Sequence, residues 1–278
     1  MVKKEHAKRL TRLFIPVLFL AMGYLTGNAF ADNTLAQTID LVRPSIVGIG
    51  TVMPSRRPPS SFQGTGFVVS DGLHIITNAH VVNQVLDIEN KEFLAIFTGR
   101  GETAIARPAT KVAVDNEHDV ALLKISGDPL PALTIGDSNT IQEGEEVAFT
   151  GFPIGTILGL YPVTHRAIIS SITPIVIPAA SSKKLDISAI KRLRTPFSVF
   201  QLDGTAYPGN SGSPVFNPKT GEVMGIINMV FVKGTKENAL THPSGIAYAI
   251  PGSFIRDIMK QGGAIRQSAA DPISKLKR

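Results

Sequence analysis

Eleven short runs rich in Val, Ile and Phe, bounded by turn-forming residues, constrain this chain more than any other feature. They are Ser45–Met53, Gly64–Ser70, Leu73–Thr77, Glu92–Thr98, Lys111–Asp115, Val120–Ile125, Glu146–Gly151, Ala167–Thr173, Pro214–Asn217, Glu222–Val232 and Gly245–Ile250. Runs of this length and composition read as strands, and Gly and Pro between them argue for a β-barrel or sandwich, not alternating βαβ units. Helical spacing occurs at Thr34–Val42, stopped near Pro44, and at Pro251–Gln261, with Pro in its first turn. Asn83–Asn90 is a third, shorter helix candidate. Pro54–Ser61 is too rich in Pro and Ser to join a sheet, and Thr235–Gly245 is polar enough to read as a surface loop.

Residues 1–31 differ from the rest. A basic stretch is followed by an apolar run, Leu13 to Leu25, and then by Ala29-Phe30-Ala31. That order reads as a secretory signal cleaved after Ala31, which places the mature chain in the periplasm or outside the cell. The alternative is a retained anchor, although the run is shorter than the ~20 residues a bilayer span needs. Membrane association is expected only through such a retained segment. The leader also carries most of the net charge of +6; without it the chain is +2. A near-neutral body gives no electrostatic reason to bind nucleic acid. There is no cysteine, which excludes disulfides, thiolate zinc sites and cysteine nucleophiles. His74, His118, His165 and His242 lack metal-ligand spacing, so neither metal nor cofactor is expected.

Three windows carry candidate chemistry. His80 follows an apolar strand in TNAHVV, Asp119 opens another in HDVALL, and Ser211 sits between glycines in GNSGSP. A buried carboxylate at 119 could fix one imidazole tautomer, leaving the other nitrogen free to act as a base. A serine hydroxyl needs such a base before it can attack. Flanking glycines let the backbone turn sharply and aim N–H groups at a carbonyl oxygen. The order His, Asp, Ser, at separations of 39 and 92 residues, suits two residues on one barrel and the third on another.

These windows resemble those of the trypsin-like serine proteases, and specifically the bacterial HtrA/Deg group. GTGFVVS at 64–70, TNAHVV at 77–82, HDVALLKI at 118–125, GFPIG at 151–155, GNSGSPVFNPKTGEVMGI at 209–226 and GIAYAIP at 245–251 carry the likeness, which spans roughly residues 34–262. It implies an all-β fold of two antiparallel six-stranded β-barrels with a short helix at each end. The implied boundaries are 32–137 and 138–262, with a polar tail at 263–278. It implies a serine endopeptidase with His80 as general base, Asp119 orienting it and Ser211 as nucleophile. Backbone N–H groups of Gly209, Asn210 and Ser211 would form the oxyanion hole. Thr205, Ala206, Tyr207, Ile226, Ile227 and Asn228 would line the specificity pocket. Thr205 stands where the charge of the pocket floor is set, so a small or medium apolar side chain is the expected guest. The implied partners are protein or peptide substrates, unfolded ones above all, and further copies of the chain in a trimer.

The chain departs from the family in two places. Only sixteen residues follow Gly262, too few for the PDZ domain that HtrA proteins carry after the protease. Ser213 replaces the second glycine of GNSGG; the loop is then closer to glutamyl endopeptidases, but Ile227 stands where those hold a glutamate-binding His. A catalytically latent binding or chaperone-like module is the alternative reading. Pro178–Pro196, with five Lys or Arg among apolar residues, reads as a solvated amphipathic helix or as a regulatory or membrane-surface element.

Overall fold

A computed structural model describes residues 34–155, 159–174, 197–228 and 245–264. Residues 1–31, read from the sequence as an export leader, the basic segment 178–196, most of the 235–245 loop and the tail 266–278 lie outside them.

Two closed antiparallel barrels account for the strands. The first is built from β1 (Ile46–Val52), β2 (Ser60–Val69), β3 (His74–Thr77), β4 (Phe93–Thr98), β5 (Ile105–Asp115) and β6 (Val120–Ile125) in the order 1-2-3-6-5-4. The second uses β7 (Glu146–Gly151), β8 (Val163–Pro174), β9 (Ser198–Leu202), β10 (Pro214–Phe216), β11 (Val223–Asn228) and β12 (Ala247–Pro251) in the order 10-11-12-9-8-7. Closure leaves no sheet edge to aggregate. Helix α1 (Leu35–Val42) is capped by Thr34, whose hydroxyl accepts from Gln37 N–H while the Gln37 side chain accepts from Thr34 N–H. A short α2 (Ala79–Val82) follows β3, and α3 (Gly252–Gln261) closes the described fold behind Pro251.

β6 explains how one short strand serves two cores. Ala121, Leu123 and Ile125 point into the first barrel with Ile49, Ile75 and Ile96. Val120 and Leu122 face the other way, into a cluster with Phe67, Phe152, Phe216 and the α3 residues Ile255 and Ile258. Strands buried on both faces read as unbroken apolar runs, which VALL is. A separate cluster fills the second barrel around Phe149, Leu202, Val215 and Ile227.

Four local expectations need correction. Asn83–Asn90 is not helical: Val85 and Ile88 are exposed and offer no apolar face, and the helical turn lies earlier, at Ala79–Val82. Ser60 and Ser61 do join a sheet, paired with Val52 and Thr51 of β1. β5 begins at Ile105, six residues before the run seen in sequence, because its first half is exposed and does not alternate. β9 was not anticipated; its five residues close the second barrel between β8 and β12.

Candidate active site

Strand pairing brings His80 and Asp119 together. β3 and β6 are neighbours with Thr77 opposite Ala121, so the residues just beyond each strand meet at the barrel's end. His80 Nδ1 lies 2.6 Å from Asp119 Oδ2, and the His80 backbone N–H donates to Oδ1 at 2.8 Å. Asn78 Nδ2 donates to the Asp119 carbonyl at 3.0 Å. Asp119 holds a left-handed φ of 56°, a conformation that Asp tolerates better than most residues. A carboxylate only accepts, so the imidazole proton resides on Nδ1 and Nε2 presents its lone pair. The imidazole is one-third exposed while Asp119 is buried.

A further bond to this carboxylate comes from the other barrel. Asn228, at the end of β11, donates from Nδ2 to Asp119 Oδ2 at 2.7 Å. Asn228 was read from the sequence as pocket lining; its side chain is instead turned onto the aspartate. The signal was present in the sequence, because a polar residue closing the apolar run VMGII is fully buried and needs a partner.

Asp115, the other aspartate near this strand, is engaged elsewhere. His118 donates to it from the ring, Nδ1 to Oδ2 at 2.6 Å, and from the backbone. Burial opposes its charge, but the bonds from His118 outweigh that and lower its pKa. The His118 ring is stacked on Phe254 at 4.0 Å. His74 pairs with Asp71, and His165 is stacked on Phe149, where burial lowers its pKa. Among the described residues, no three groups could jointly hold a metal ion.

Ser211 is held by Thr65 of β2. Thr65 N–H donates to Ser211 O at 2.8 Å, and its hydroxyl donates to Gly209 O at 2.7 Å while accepting from Phe152 N–H at 3.0 Å. Gly64 is wedged beside them: a Cβ there would lie 2.9 Å from both Ser211 O and the Val81 side chain. Ser211 thus sits beside the helix that carries His80. Among the described residues, His80 spends both of its hydrogen bonds on Asp119, and the Ser211 hydroxyl makes none.

The three N–H groups expected to point into one hole divide. Asn210 N–H is committed to Tyr207 O at 2.9 Å, so it does not join the other two. Gly209 and Ser211 N–H have no acceptor among the described residues. Ile154 N–H donates to Pro208 O at 2.7 Å. The two ends of a trans peptide point in opposite directions, so this bond turns Gly209 N–H away from Ile154. Gly209 has φ 102°, a value that glycine alone adopts freely. Ile154 itself pays for its donor position with φ 51°.

The remaining pocket candidates separate by face. Ile227 and Ala206 share the second barrel's core, whereas Ile226 points into the cluster that includes α3. Thr205 and Tyr207 are half-buried in the connection to Ser211, and the Tyr207 ring lies 6.5 Å from His165. Asp203, eight residues before Ser211, accepts from Ile168 N–H of β8.

Comparison with known proteins gives a consistent family. Residues 64–226 match the model of the trypsin-like peptidase domain. A probable periplasmic serine endoprotease, DegP-like, of Halomonas elongata is 33% identical over 198 residues, which is 71% of this chain and 34% of that protein. Serine protease HTRA1 of Xenopus laevis is 30% identical over 249 residues, 88% of this chain and 46% of that protein. The chain thus spans between a third and a half of the length of these relatives. The structure of an HtrA-type protease, AlgW, with a decapeptide superposes with a TM-score of 0.60 at 22% identity, covering 83% of this chain and 67% of that one. The latter likeness is one of fold.

Proposed function

This chain belongs to the trypsin-like peptidase family, and on that premise we propose that it is a serine endopeptidase whose nucleophile is Ser211. His80 Nε2 takes the hydroxyl proton as Ser211 Oγ attacks the substrate carbonyl, and it returns that proton to the leaving amine. Asp119 orients the imidazole and stabilises its charged form. Gly209 and Ser211 N–H stabilise the oxyanion, and water then releases the acyl group by the same path in reverse. The observation that carries this reading is the 2.6 Å contact of His80 Nδ1 with a buried carboxylate that also accepts from the His80 backbone and from Asn228. An acyl-side pocket bounded by Ala206 and Ile227, with no carboxylate at Thr205, selects an apolar side chain. Such side chains are exposed when a protein unfolds, so unfolded proteins are the substrates. The leader pattern of residues 1–31 and the names of the relatives support work in the periplasm after cleavage at Ala31. Residues 32–137 and 138–262 are the two barrel domains, and resemblance alone supports assembly as a trimer.

A fluorophosphonate probe tests the chemistry without knowledge of the substrate. Mass spectrometry should map the label to Ser211, and His80→Ala should abolish it. Folded protein that takes no label overturns the reading. Thr65→Val keeps the shape of the side chain but removes its bonds to Gly209 O and Phe152 N–H. It should slow labelling about tenfold, less than the 10²–10³ lost with an oxyanion donor itself. An unchanged labelling rate would show that the clamp is not needed.

A further inference from the structure

The turn between β5 and β6 ends on Asp119, the residue that grips His80. Asp115, the last residue of β5, gathers that turn around one carboxylate. Its Oδ1 accepts from Glu117 N–H at 2.9 Å and from His118 N–H at 3.0 Å, and its Oδ2 accepts from His118 Nδ1 at 2.6 Å. Asn116 ties the same turn to the helical turn of His80. Its Oδ1 accepts from Asn83 Nδ2 at 2.8 Å, and Asn83 is the C-cap of α2.

His118 carries the turn across to the other barrel. Its ring lies flat on Phe254 of α3, with centroids 4.0 Å apart, and makes an edge-on contact with Phe197 at 4.8 Å. Phe197 and Phe254 also meet each other, at 5.2 Å. Phe197 stands just before β9 and belongs to none of the three apolar clusters. Both rings are uncharged, so among the described residues Asp115 is the charged group bonded to the imidazole.

An imidazole held from three directions fixes the peptide that follows it. That peptide leads into Asp119, whose φ of 56° lies outside the range most residues hold. On the other side, the Asp119 carbonyl accepts from Asn78 Nδ2. Rotation about the Asp119 backbone is therefore set by His118 before it and Asn78 after it, and the direction of the carboxylate follows.

We propose that His118 is a positioning residue for the catalytic pair: anchored on Asp115 and seated against Phe197 and Phe254, it fixes the backbone from which Asp119 reaches His80. This rests on the serine endopeptidase reading above. Through His118, an aromatic ring of the second barrel acts on the base carried by the first.

The test uses the full chain and two probes. Fluorophosphonate labelling rates are measured across about pH 5 to 9, the range in which imidazoles titrate. A nitrophenyl ester of an N-acylated leucine gives kcat and KM separately. The acid limb of the labelling rate reports protonation of His80 in the free enzyme. A well-placed carboxylate favours the imidazolium, so when it strays in His118→Ala the limb should move to lower pH, by about half a unit. The same variant should lower kcat about tenfold, within what a small misplacement costs, and leave KM within about twofold of the parent. His118→Asn keeps a donor for Asp115 but loses the rings, and its kcat should fall between those of His118→Ala and the parent. Phe197→Ala should move the limb the same way by a smaller amount. A contact that only holds the fold together would lower the amount of active protein and leave the limb in place. A limb unmoved in both alanine variants therefore overturns the proposal; should His118→Ala not fold, Phe197→Ala decides it alone. A parent chain that takes no label and hydrolyses no ester overturns it together with the peptidase reading.

Discussion

Asp119→Asn should lower kcat by about 10⁴-fold while the barrels stay folded. The size follows from how completely the carboxylate is used. Oδ1 accepts from the His80 backbone N–H, and Oδ2 accepts from His80 Nδ1 and from Asn228 Nδ2. An amide must place its NH₂ group where one oxygen stands. With NH₂ at the Oδ2 position it faces the imidazole, which is forced to carry its proton on Nε2 and ceases to be a base. With NH₂ at the Oδ1 position it opposes the backbone donor, which cannot turn away. Asn228 can rotate its own amide to adapt, so the damage falls on His80. Burst kinetics with a nitrophenyl ester would separate acylation from deacylation. A loss below tenfold would mean that Asp119 does not govern the tautomer.

Gly151→Ala should cost about 3 kcal/mol of stability, the upper part of the range for forcing an extra methyl into a packed site. A Cβ at the end of β7 would overlap Ser213 Oγ and lie 2.9 Å from both Asn210 Oδ1 and Thr65 Oγ1. All three belong to the nucleophile loop or to the residue that holds it, so the methyl acts on the site as well as on the fold. Ser213 Oγ is buried and makes no hydrogen bond among the described residues. Ser213→Gly alone should therefore change stability by less than about 1 kcal/mol, since no bond is lost. In the double variant it should recover roughly half of the Gly151→Ala loss, because the two nearer-normal contacts remain. Urea midpoints at constant m report both numbers. Strict additivity would show that the two positions do not share the space. This pairing also accounts for Ser213 in a loop where a second glycine was expected: the side chain occupies room that Gly151 leaves.

Most of the barrel framework was legible because it depends on local composition. β1, β6, β7 and β11 are short apolar runs whose ends are set by Gly, Pro and Asn. What was missed depends on contacts between residues far apart in sequence. β9 is only five residues long and gains its identity from pairing with β8 and β12. The helical turn that carries His80 is only four residues long, too short for an apolar period to mark it, and Asn78 at its N-cap spends its side chain on Asp119 O, 41 residues away. The windows around His80, Asp119 and Ser211 were visible as patterns. Thr65, which holds the serine loop, was not: it lies within a strand-like run and contributes by bonds to residues 144 and 146 positions later. Asn210 was counted among three equivalent N–H donors, because nothing in GNSGS reveals that Tyr207 O takes its proton.

Thr65 and Asn228 each reach from one barrel to the other, Thr65 toward Gly209 and Ser211, Asn228 toward Asp119. The two halves are therefore not interchangeable parts. A recombinant that took one barrel from a distant relative could keep every strand and every reactive side chain, yet mate a threonine with a loop it was never cut to hold. Ancestry along this seam is inherited in pairs: whichever parent supplies the serine loop must match the parent that supplies position 65, and whichever supplies the aspartate must match the parent that supplies position 228.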